Sequence, residues 1–249
     1  MILKVIIPIL DSVDLYFDKK RFFLDLEKFF AGGGGAKVVS FVNLHGLSVS
    51  VNTPVMGNAL MAADLLLVDG IGVRLIEKAR GVDAGLNMNG TDLIPEILDL
   101  ASKDSRVAVY GAVDETNYAA ISLVQSLGFL KVDGLDGFLP NSEYLQHFTR
   151  MRPNLVVLGL GMPKQEILAA QLKGACGDWS CVIINGGGIL DFLTGKFKRA
   201  PRLMRKLGME WLWRMAVNPR SKIVRNLDSV LFIIKVIYKI GALRLGLSK

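Results

Sequence analysis

The sequence comprises 249 residues with a formal net charge of +7, and about half of the residues are apolar. This length predicts one large domain, or a domain with an appendage, and it allows a sizeable core. Charged residues are too frequent and too evenly spread for a protein that crosses a membrane several times. Two cysteines (Cys176, Cys181) and two histidines (His45, His147) predict neither a disulfide framework nor a zinc site, so no metal is expected.

The first part of the chain is predicted to alternate strands and helices. The short apolar run over 4–10 predicts a strand and fits a signal peptide poorly. Apolar residues at helical spacing predict a helix over 18–30, which the glycines over 32–35 end. A further helix starts at Asn58 and runs into an apolar strand before Asp69. The other predicted elements are a strand over 37–42, a helix over 71–80, and a helix over 91–103 capped by Thr91 or Asp92.

Later in the sequence, three apolar strands each end at a glycine and lead toward a helix. Strands buried on both faces form continuous apolar runs, as parallel strands do. This order therefore predicts an α/β fold: a Rossmann-like, mostly parallel sheet with helices on both faces. The predicted strands are 106–110, 130–132, 155–158 and 181–184, and the predicted helices are 117–127 and 164–172.

Net charge, in contrast to the number of charged residues, is distributed unevenly along the chain. Residues 195–249 contain 14 Lys or Arg and two acidic residues, a net charge of +12, whereas residues 1–194 have a net charge of −5. This shift predicts an α/β catalytic domain over 1–194 and a basic helical appendage over 195–249. A basic segment of this size favours an anionic partner, such as phosphates, anionic lipid or nucleic acid.

Asp69 follows the apolar run LLLV and precedes Gly70. In open α/β sheets, ligands bind outside the carboxyl ends of the strands. A carboxylate there can act as a general base or hold a sugar hydroxyl, and the glycine lets the backbone turn sharply. An aspartate that caps the following helix fits the same pattern, so both interpretations stand.

The segment over 156–166, VVLGLGMPKQE, has the features of an anion-binding helix start. Gly159 and Gly161 leave the strand end uncrowded, and Pro163 suits the first helical position. The free amides of such a start bind anions, for example a diphosphate. The dinucleotide fingerprint G-x-G-x-x-G is absent here and at Gly111, which disfavours a nicotinamide or flavin enzyme.

Further residues are predicted to border the same ligand-binding cleft at the carboxyl ends of the strands. Lys164 and Gln165 fall in the first helical turn and are expected to face it. A plain strand-to-helix turn, with Lys164 and Glu166 in solvent, fits the spacing as well. Gly186 and Gly187 follow the last strand and allow a ligand to approach the backbone closely.

The C-terminal segment combines basic and apolar residues. Six Lys or Arg within 196–206 form either a solvated basic face or a surface for phosphate. Residues 229–247 are mostly apolar but carry three charges, each costing about 2.5–3.5 kcal/mol at the centre of a spanning helix. An amphipathic helix at the membrane interface is predicted instead, and a helix packed on the core is the alternative.

Several segments together resemble a known family. Over roughly residues 35 to 225, the chain is similar to the WecG/TagA/CpsF family of glycosyltransferases, glycosyltransferase family twenty-six. The last two of the matching segments are the most specific. The segments are, in order, LLLVDGIGV, NGTDL, VAVYGAVDE, VVLGLGMPKQE and ILDFLTGKFKRAPRLMRKLGMEWLWRMAVNPR.

The resemblance implies an inverting, metal-independent transfer from a UDP-sugar to a polyprenyl-diphosphate-linked sugar, without a cofactor. The sugar would be of the N-acetylmannosamine type, its uronic acid, or glucose. Products of the family feed wall teichoic acid, enterobacterial common antigen, capsule and exopolysaccharide synthesis. The implied location is cytoplasmic, peripheral on the anionic inner face of the bacterial plasma membrane, and a homo-oligomer is left open.

The resemblance assigns roles to two residues, and the strand-end and charge patterns described above add the expected contacts of the others. The family's catalytic aspartate falls on Asp69 and its active-site glutamine on Gln165. Donor contacts are expected from a strand-end asparagine, from glycines and from a lysine: Asn43, Gly70, Gly111, Gly159, Gly161, Lys164, Gly186 and Gly187. Contacts with the acceptor diphosphate and the membrane are expected from Lys198, Arg199, Arg202, Arg214, Arg220 and Arg225.

The sequence departs from the family at two places. Family members usually carry Thr-x-Asn at the end of the second predicted strand; here Asn43 is kept, but Phe41 replaces the Thr. Ser40 is expected to point to the other face of that strand. An Arg that usually precedes the N/S-G-x-D-L segment is replaced within 87–89. These changes leave the identity of the donor open.

Two other functions compete with transfer. A catalytically weak protein that binds a nucleotide-sugar or an anionic lipid is favoured by Phe41. A nucleic-acid-binding protein would use the basic tail, but the end of that tail is too apolar for a solvated RNA-binding arm, and its aromatic residues cluster at Trp211 and Trp213. Nucleic acid is therefore not expected as a partner.

Overall fold

The computed structural model describes residues 1–197, 199–201, 204, 213 and 219–246, with side chains from Ser229 onward in the last helix. Its sheet has six strands: β1 Gly35–Val42, β2 Leu65–Val68, β3 Arg106–Gly111, β4 Lys131–Leu135, β5 Leu155–Gly159 and β6 Ser180–Asn185. Their order across the sheet is β2-β1-β6-β5-β3-β4. Each neighbouring pair is parallel. The predicted α/β, Rossmann-like sheet is therefore confirmed.

Helices cover both faces of the sheet. In chain order they are α1 Ile2–Asp11, α2 Lys19–Ala31, α3 Leu44–Asn52, α4 Pro54–Met61, α5 Ile71–Arg80, α6 Gly90–Leu100, α7 Asp114–Ser126, α8 Asn141–Met151, α9 Lys164–Ala175, α10 Ile189–Leu193 and α11 Pro219–Arg244. One face of the sheet packs against α2, α6, α7 and α10, and the other against α1, α3, α4, α5, α8, α9 and α11.

The N-terminal segment is helix α1, and the strand predicted over 4–10 is wrong. Ile6, Ile9 and Leu10 are buried in the cluster that also holds residues of α3 and α4. Ile9 and Leu10 lie three and four residues after Ile6, so all three share one helical face. A short run of β-branched residues fits a strand or a buried helix equally well by composition, and packing decides between them.

Other local predictions also need correction. Asn89 caps α6, and its Oδ1 accepts a hydrogen bond from the amide of Asp92 at 3.0 Å, so neither Thr91 nor Asp92 is the cap. Pro163 is the N-cap of α9, one position before the predicted place. Helices α3 and α8 were not predicted.

Helix α11 packs on the body of the protein along one side and exposes apolar residues along another. Val236 and Ile240 are buried beside residues of α1, α3 and α5. Leu231, Ile234 and Tyr238 are 65%, 60% and 75% exposed. The interpretation of a helix packed on the core is therefore correct for one face, and binding of the other face to a membrane interface stays a prediction. No helix in the described part of the chain has the length and apolarity to cross a membrane. The division at residue 194 stays a prediction.

Candidate active site

Asp69 and Asn43 meet at the carboxyl edge of the sheet. They follow the paired residues Val68 of β2 and Val42 of β1. Asn43 donates from Nδ2 to Asp69 Oδ2 at 3.3 Å, and its Oδ1 accepts from the amide of Gly46 at 2.9 Å. Asn43 therefore caps α3 and orients the carboxylate with the other end of the same amide group.

The turn after Asp69 is also held by a side chain. Gly70 has φ +90°, and its amide donates to Asn87 Oδ1 at 2.7 Å. A Cβ at Gly70 would meet no atom within 4 Å, so the space beside it is open. Asn87 lies in the segment where the family usually carries an Arg, and here it fixes the backbone that follows the candidate base.

Phe41 lies in the core and not in the open cleft. Its side chain is 4% exposed, and a Cβ at Gly90 would come within 3.2 Å of the ring, which thus packs beneath the start of α6. Ser40 points to the opposite face, as predicted, and its Oγ accepts a hydrogen bond from Asn185 Nδ2 at 2.7 Å. The ring that replaces the family's threonine therefore fills space under the sheet edge.

Three of the glycines predicted to contact the sugar donor lie where close packing leaves no room for a side chain. A Cβ at Gly111, which has φ +138°, would lie 2.4 Å from the carbonyl carbon of Gly159. A Cβ at Gly159 would lie 2.7 Å from Leu190, and one at Gly186 would lie 2.3 Å from Ile189. A side chain at any of these positions would force neighbouring atoms apart.

Gly161 and Gly187 are different, because a Cβ on either would meet nothing within 4 Å. Both have positive φ, +75° and +58°. They lie in the turns after β5 and β6, which are neighbouring strands. Their backbone therefore borders open space at the carboxyl edge, where ligands of α/β sheets bind.

Gln165 joins these two turns. Its Oε1 accepts from the amide of Gly187 at 2.9 Å and from that of Gly161 at 3.3 Å, while its Nε2 donates to Glu166 Oε1 at 2.8 Å. The side chain is only 2% exposed. A Cβ at Gly46 would come within 3.2 Å of Met162 Sδ, so the start of α3 and the turn before Gln165 are in contact.

Lys164 stabilises the turn that follows β4. Its Nζ donates to the carbonyl oxygens of Leu139 at 2.7 Å and Gly137 at 2.9 Å, and it lies over the ring of Tyr144. Burial lowers the pKa of Lys164. The alternative of a solvated lysine is therefore wrong, because these contacts hold its ammonium group against the protein.

Glu166 was not predicted as a site residue, and the alternative that placed it in solvent is wrong. It is 1% exposed, and burial raises the pKa of its carboxyl to about 7. Its Oε2 has no hydrogen-bond partner among the described residues. A signal was available, because Ala169 and Leu172 follow at intervals of three and predict that position 166 faces the sheet.

Part of the predicted basic surface is described. Arg199 Nη1 donates to Asp92 Oδ1 at 2.5 Å, which holds it against the first turn of α6. Lys196 forms an ion pair with Asp191 at 3.5 Å. Lys198, Arg202 and Arg214 lie outside the described residues, as do the side chains of Arg220 and Arg225 on α11.

The cysteines are free thiols, Cys176 partly buried and Cys181 buried. Burial raises the pKa of both. Across the described ranges, no group of three or more His, Cys, Asp or Glu side chains is placed to hold a metal ion.

The fold and the site define an α/β protein in which an oriented carboxylate and turns rich in glycine lie at the same carboxyl edge of the sheet, the edge at which ligands of such sheets bind. The model of the glycosyl transferase WecG/TagA/CpsF family matches residues 13–244. The chain belongs to this family and is a glycosyltransferase.

Two relatives are N-acetylglucosaminyldiphosphoundecaprenol N-acetyl-beta-D-mannosaminyltransferases of Bacillus. The chain is 28% identical to that of Bacillus subtilis (strain 168) over 202 residues, which cover 79% of this chain and 78% of the relative. It is 30% identical to that of Bacillus spizizenii (strain ATCC 23059 / NRRL B-14472 / W23) over 164 residues, 64% of this chain and 63% of the relative.

Proposed function

We propose that the protein transfers a sugar, with inversion, from a UDP-sugar to a polyprenyl-diphosphate-linked sugar. The observation that carries this proposal is the Asn43–Asp69 pair at adjoining strand ends, in a chain of this glycosyltransferase family. The relatives' names support an N-acetylmannosamine-type sugar and an undecaprenyl-diphosphate acceptor. The uronic acid and glucose remain alternative donors.

Asp69 is proposed as the general base. Its carboxylate removes the proton from the acceptor hydroxyl while that oxygen attacks the anomeric carbon of the donor. The bond from that carbon to the diphosphate breaks, and UDP leaves with the electron pair. Attack on the face opposite the leaving group inverts the configuration. Asn43 holds the base in position through the 3.3 Å hydrogen bond.

The charge that develops on the leaving diphosphate requires donors that are already in place. We propose that backbone groups of the turns containing Gly161 and Gly187 approach the donor, because both glycines border open space. Lys164 adds positive charge at the same end of α9, although its ammonium group is already hydrogen-bonded to the protein. Arg199 and the basic residues after it are proposed to bind the acceptor diphosphate. In this scheme, protein groups stabilise the leaving group without a metal ion.

We further propose that α11 brings the protein to the anionic inner face of the bacterial plasma membrane. Its exposed apolar side chains include Leu231, Ile234 and Tyr238, with Lys235 between them. Apolar contact and attraction of lysine to anionic lipid both favour binding parallel to the surface. This location would place the enzyme beside its lipid-linked acceptor in teichoic acid or exopolysaccharide synthesis.

A donor screen tests the proposed function. Purified protein is incubated with a short-chain polyprenyl-diphosphate-linked N-acetylglucosamine and single UDP-sugars, and products are identified by mass spectrometry. Transfer from one UDP-sugar, lost in Asp69→Asn, is the expected result. Binding of UDP-sugars without transfer from any of them would favour the alternative, a catalytically weak nucleotide-sugar-binding protein.

A further inference from the structure

Glu166 is a buried acid that the proposed chemistry does not use. Its side chain is 1% exposed, and its Oε2 has no partner among the residues that the structure describes. Burying a carboxyl group with an unpaired oxygen lowers the stability of a fold. Packing alone therefore gives no reason for an acid at this position, and a leucine would fill similar space without that penalty.

The contacts of Gln165 supply a reason. A glutamine amide has one oxygen that accepts and one nitrogen that donates. The oxygen of Gln165 takes the amides of Gly161 and Gly187, and the nitrogen donates to Glu166 Oε1 at 2.8 Å. A flipped amide would place its NH₂ group against two backbone donors. With Glu166 Oε1 accepting from the nitrogen end, the observed orientation satisfies both ends of the amide, and Glu166 therefore favours it.

We propose that Glu166 is a positioning residue: it fixes the orientation of the Gln165 amide, which in turn sets the spacing of the turns at Gly161 and Gly187. The link between the turns stands on these contacts alone. Its effect on donor binding rests on the proposed function, which places the donor beside both glycines. Glu166 itself touches no substrate in this scheme.

The test compares two apolar variants with one that keeps an acceptor. Glu166→Leu, and Glu166→Met with its more flexible side chain, remove the acceptor for Gln165 Nε2. Glu166→Gln keeps an oxygen that can accept. For each full-length variant we measure the thermal midpoint, hydrogen–deuterium exchange of peptides covering 160–165 and 186–190, and KM and kcat for the UDP-sugar identified by the donor screen.

The apolar variants are expected to keep or raise the thermal midpoint, while exchange in both turns accelerates about tenfold and KM for the donor rises about tenfold. The turnover number should change much less, because Asp69 is untouched. Glu166→Gln should stay within about threefold of wild type in exchange and in KM. As a control on the same helix, Leu172→Ala should show the opposite pattern, a lower midpoint with a donor KM near that of wild type.

Unchanged exchange in both turns of a folded apolar variant would overturn the inference. So would a Glu166→Gln variant as impaired as the apolar ones, because its acceptor would then be without effect. Failure of both apolar variants to fold would also overturn it, since the acid would be needed for the fold itself. Exchange does not depend on activity, whereas the proposed function fails when wild-type protein transfers no sugar, so the two failures are distinguishable.

Discussion

Asn43 donates a hydrogen bond to Asp69 across the ends of two neighbouring parallel strands, and the same asparagine caps the helix that follows its own strand. One side chain thus ties the orientation of the carboxylate to the start of α3. If Asp69 is the base, as proposed, Asn43 serves both catalysis and local stability, and a pair of substitutions can separate the two.

Asp69→Asn is expected to lower kcat about 10²-fold or more, the usual scale for loss of a general base. Asn43→Ser keeps a helix cap but is too short to reach Asp69, so it should lower kcat with little change in stability. Asn43→Ala loses the cap as well and should also lose about 1 kcal/mol of unfolding free energy. Steady-state kinetics and urea denaturation measure these effects. Wild-type turnover in Asp69→Asn would refute the base assignment.

Gln165→Ala removes the side chain that joins the turns after β5 and β6. The donor KM is expected to rise, and the free energy of unfolding should fall by about 1–3 kcal/mol because buried hydrogen bonds are lost. Gln171→Ala provides the control, since that glutamine lies exposed on the same helix. Calorimetric titration with UDP measures directly how each variant binds the nucleotide part of the donor. Equal UDP affinity in both variants would contradict the predicted role of Gln165 in donor binding.

Glu166 is expected to make stability depend on pH. Burial raises the pKa of its carboxyl from 4.5 to about 7, so the folded protein binds more protons than the unfolded chain between these values. The contribution of Glu166 to the unfolding free energy therefore falls as pH rises through this window. The fall amounts to about 3 kcal/mol for the full shift.

Glu166→Gln removes this titration. The unfolding free energy of the variant minus that of wild type should rise by about 2–3 kcal/mol from pH 5 to pH 8. Only wild type loses, over this range, the stabilising contribution of a protonated Glu166. Denaturant titrations at several pH values give this difference, in which the other titrating groups cancel. Parallel pH profiles for the two proteins would show that Glu166 titrates at an ordinary pKa.

The exposed face of α11 is expected to bind anionic vesicles. Ile234→Asp places a charge on its apolar side and should abolish flotation with phosphatidylglycerol liposomes, while binding by wild type should weaken at high salt. Leu130→Asp is the control, since Leu130 is 87% exposed just before β4. If Ile234→Asp floats as well as wild type, another surface carries the binding.

Strand ends were easier to predict than helix faces. Buried parallel strands are continuous apolar runs that end at polar or glycine positions, so Asp69, Gly111 and Gly159 were placed correctly at the carboxyl edge. Segment 4–10 was misplaced because its β-branched residues fit two elements. Its burial depends on α3 and α4, which a local pattern does not reveal.

The functions of the glycines could not be separated from sequence alone. Gly111 ends β3 and Gly187 lies just after β6, yet the first permits contact between neighbouring strands and the second borders open space. That distinction depends on strand order, which brings residues far apart in sequence together. The hydrogen bond between Asn43 and Asp69 was likewise not predicted, because nothing local shows that their strands are neighbours.

The pairing of β1 with β6 inside the sheet has a consequence for synthesis of the chain. Ala36 pairs with Cys181, so one edge of β1 stays unpaired until the ribosome has translated β6, about 145 residues later. At about 5–20 residues per second, ribosomes need roughly 7–30 s to supply it. Until then the apolar β1 can pair only with β2 on its other side. Overproduction at reduced temperature or with co-expressed chaperones should therefore increase the soluble yield, since the unpaired edge favours aggregation.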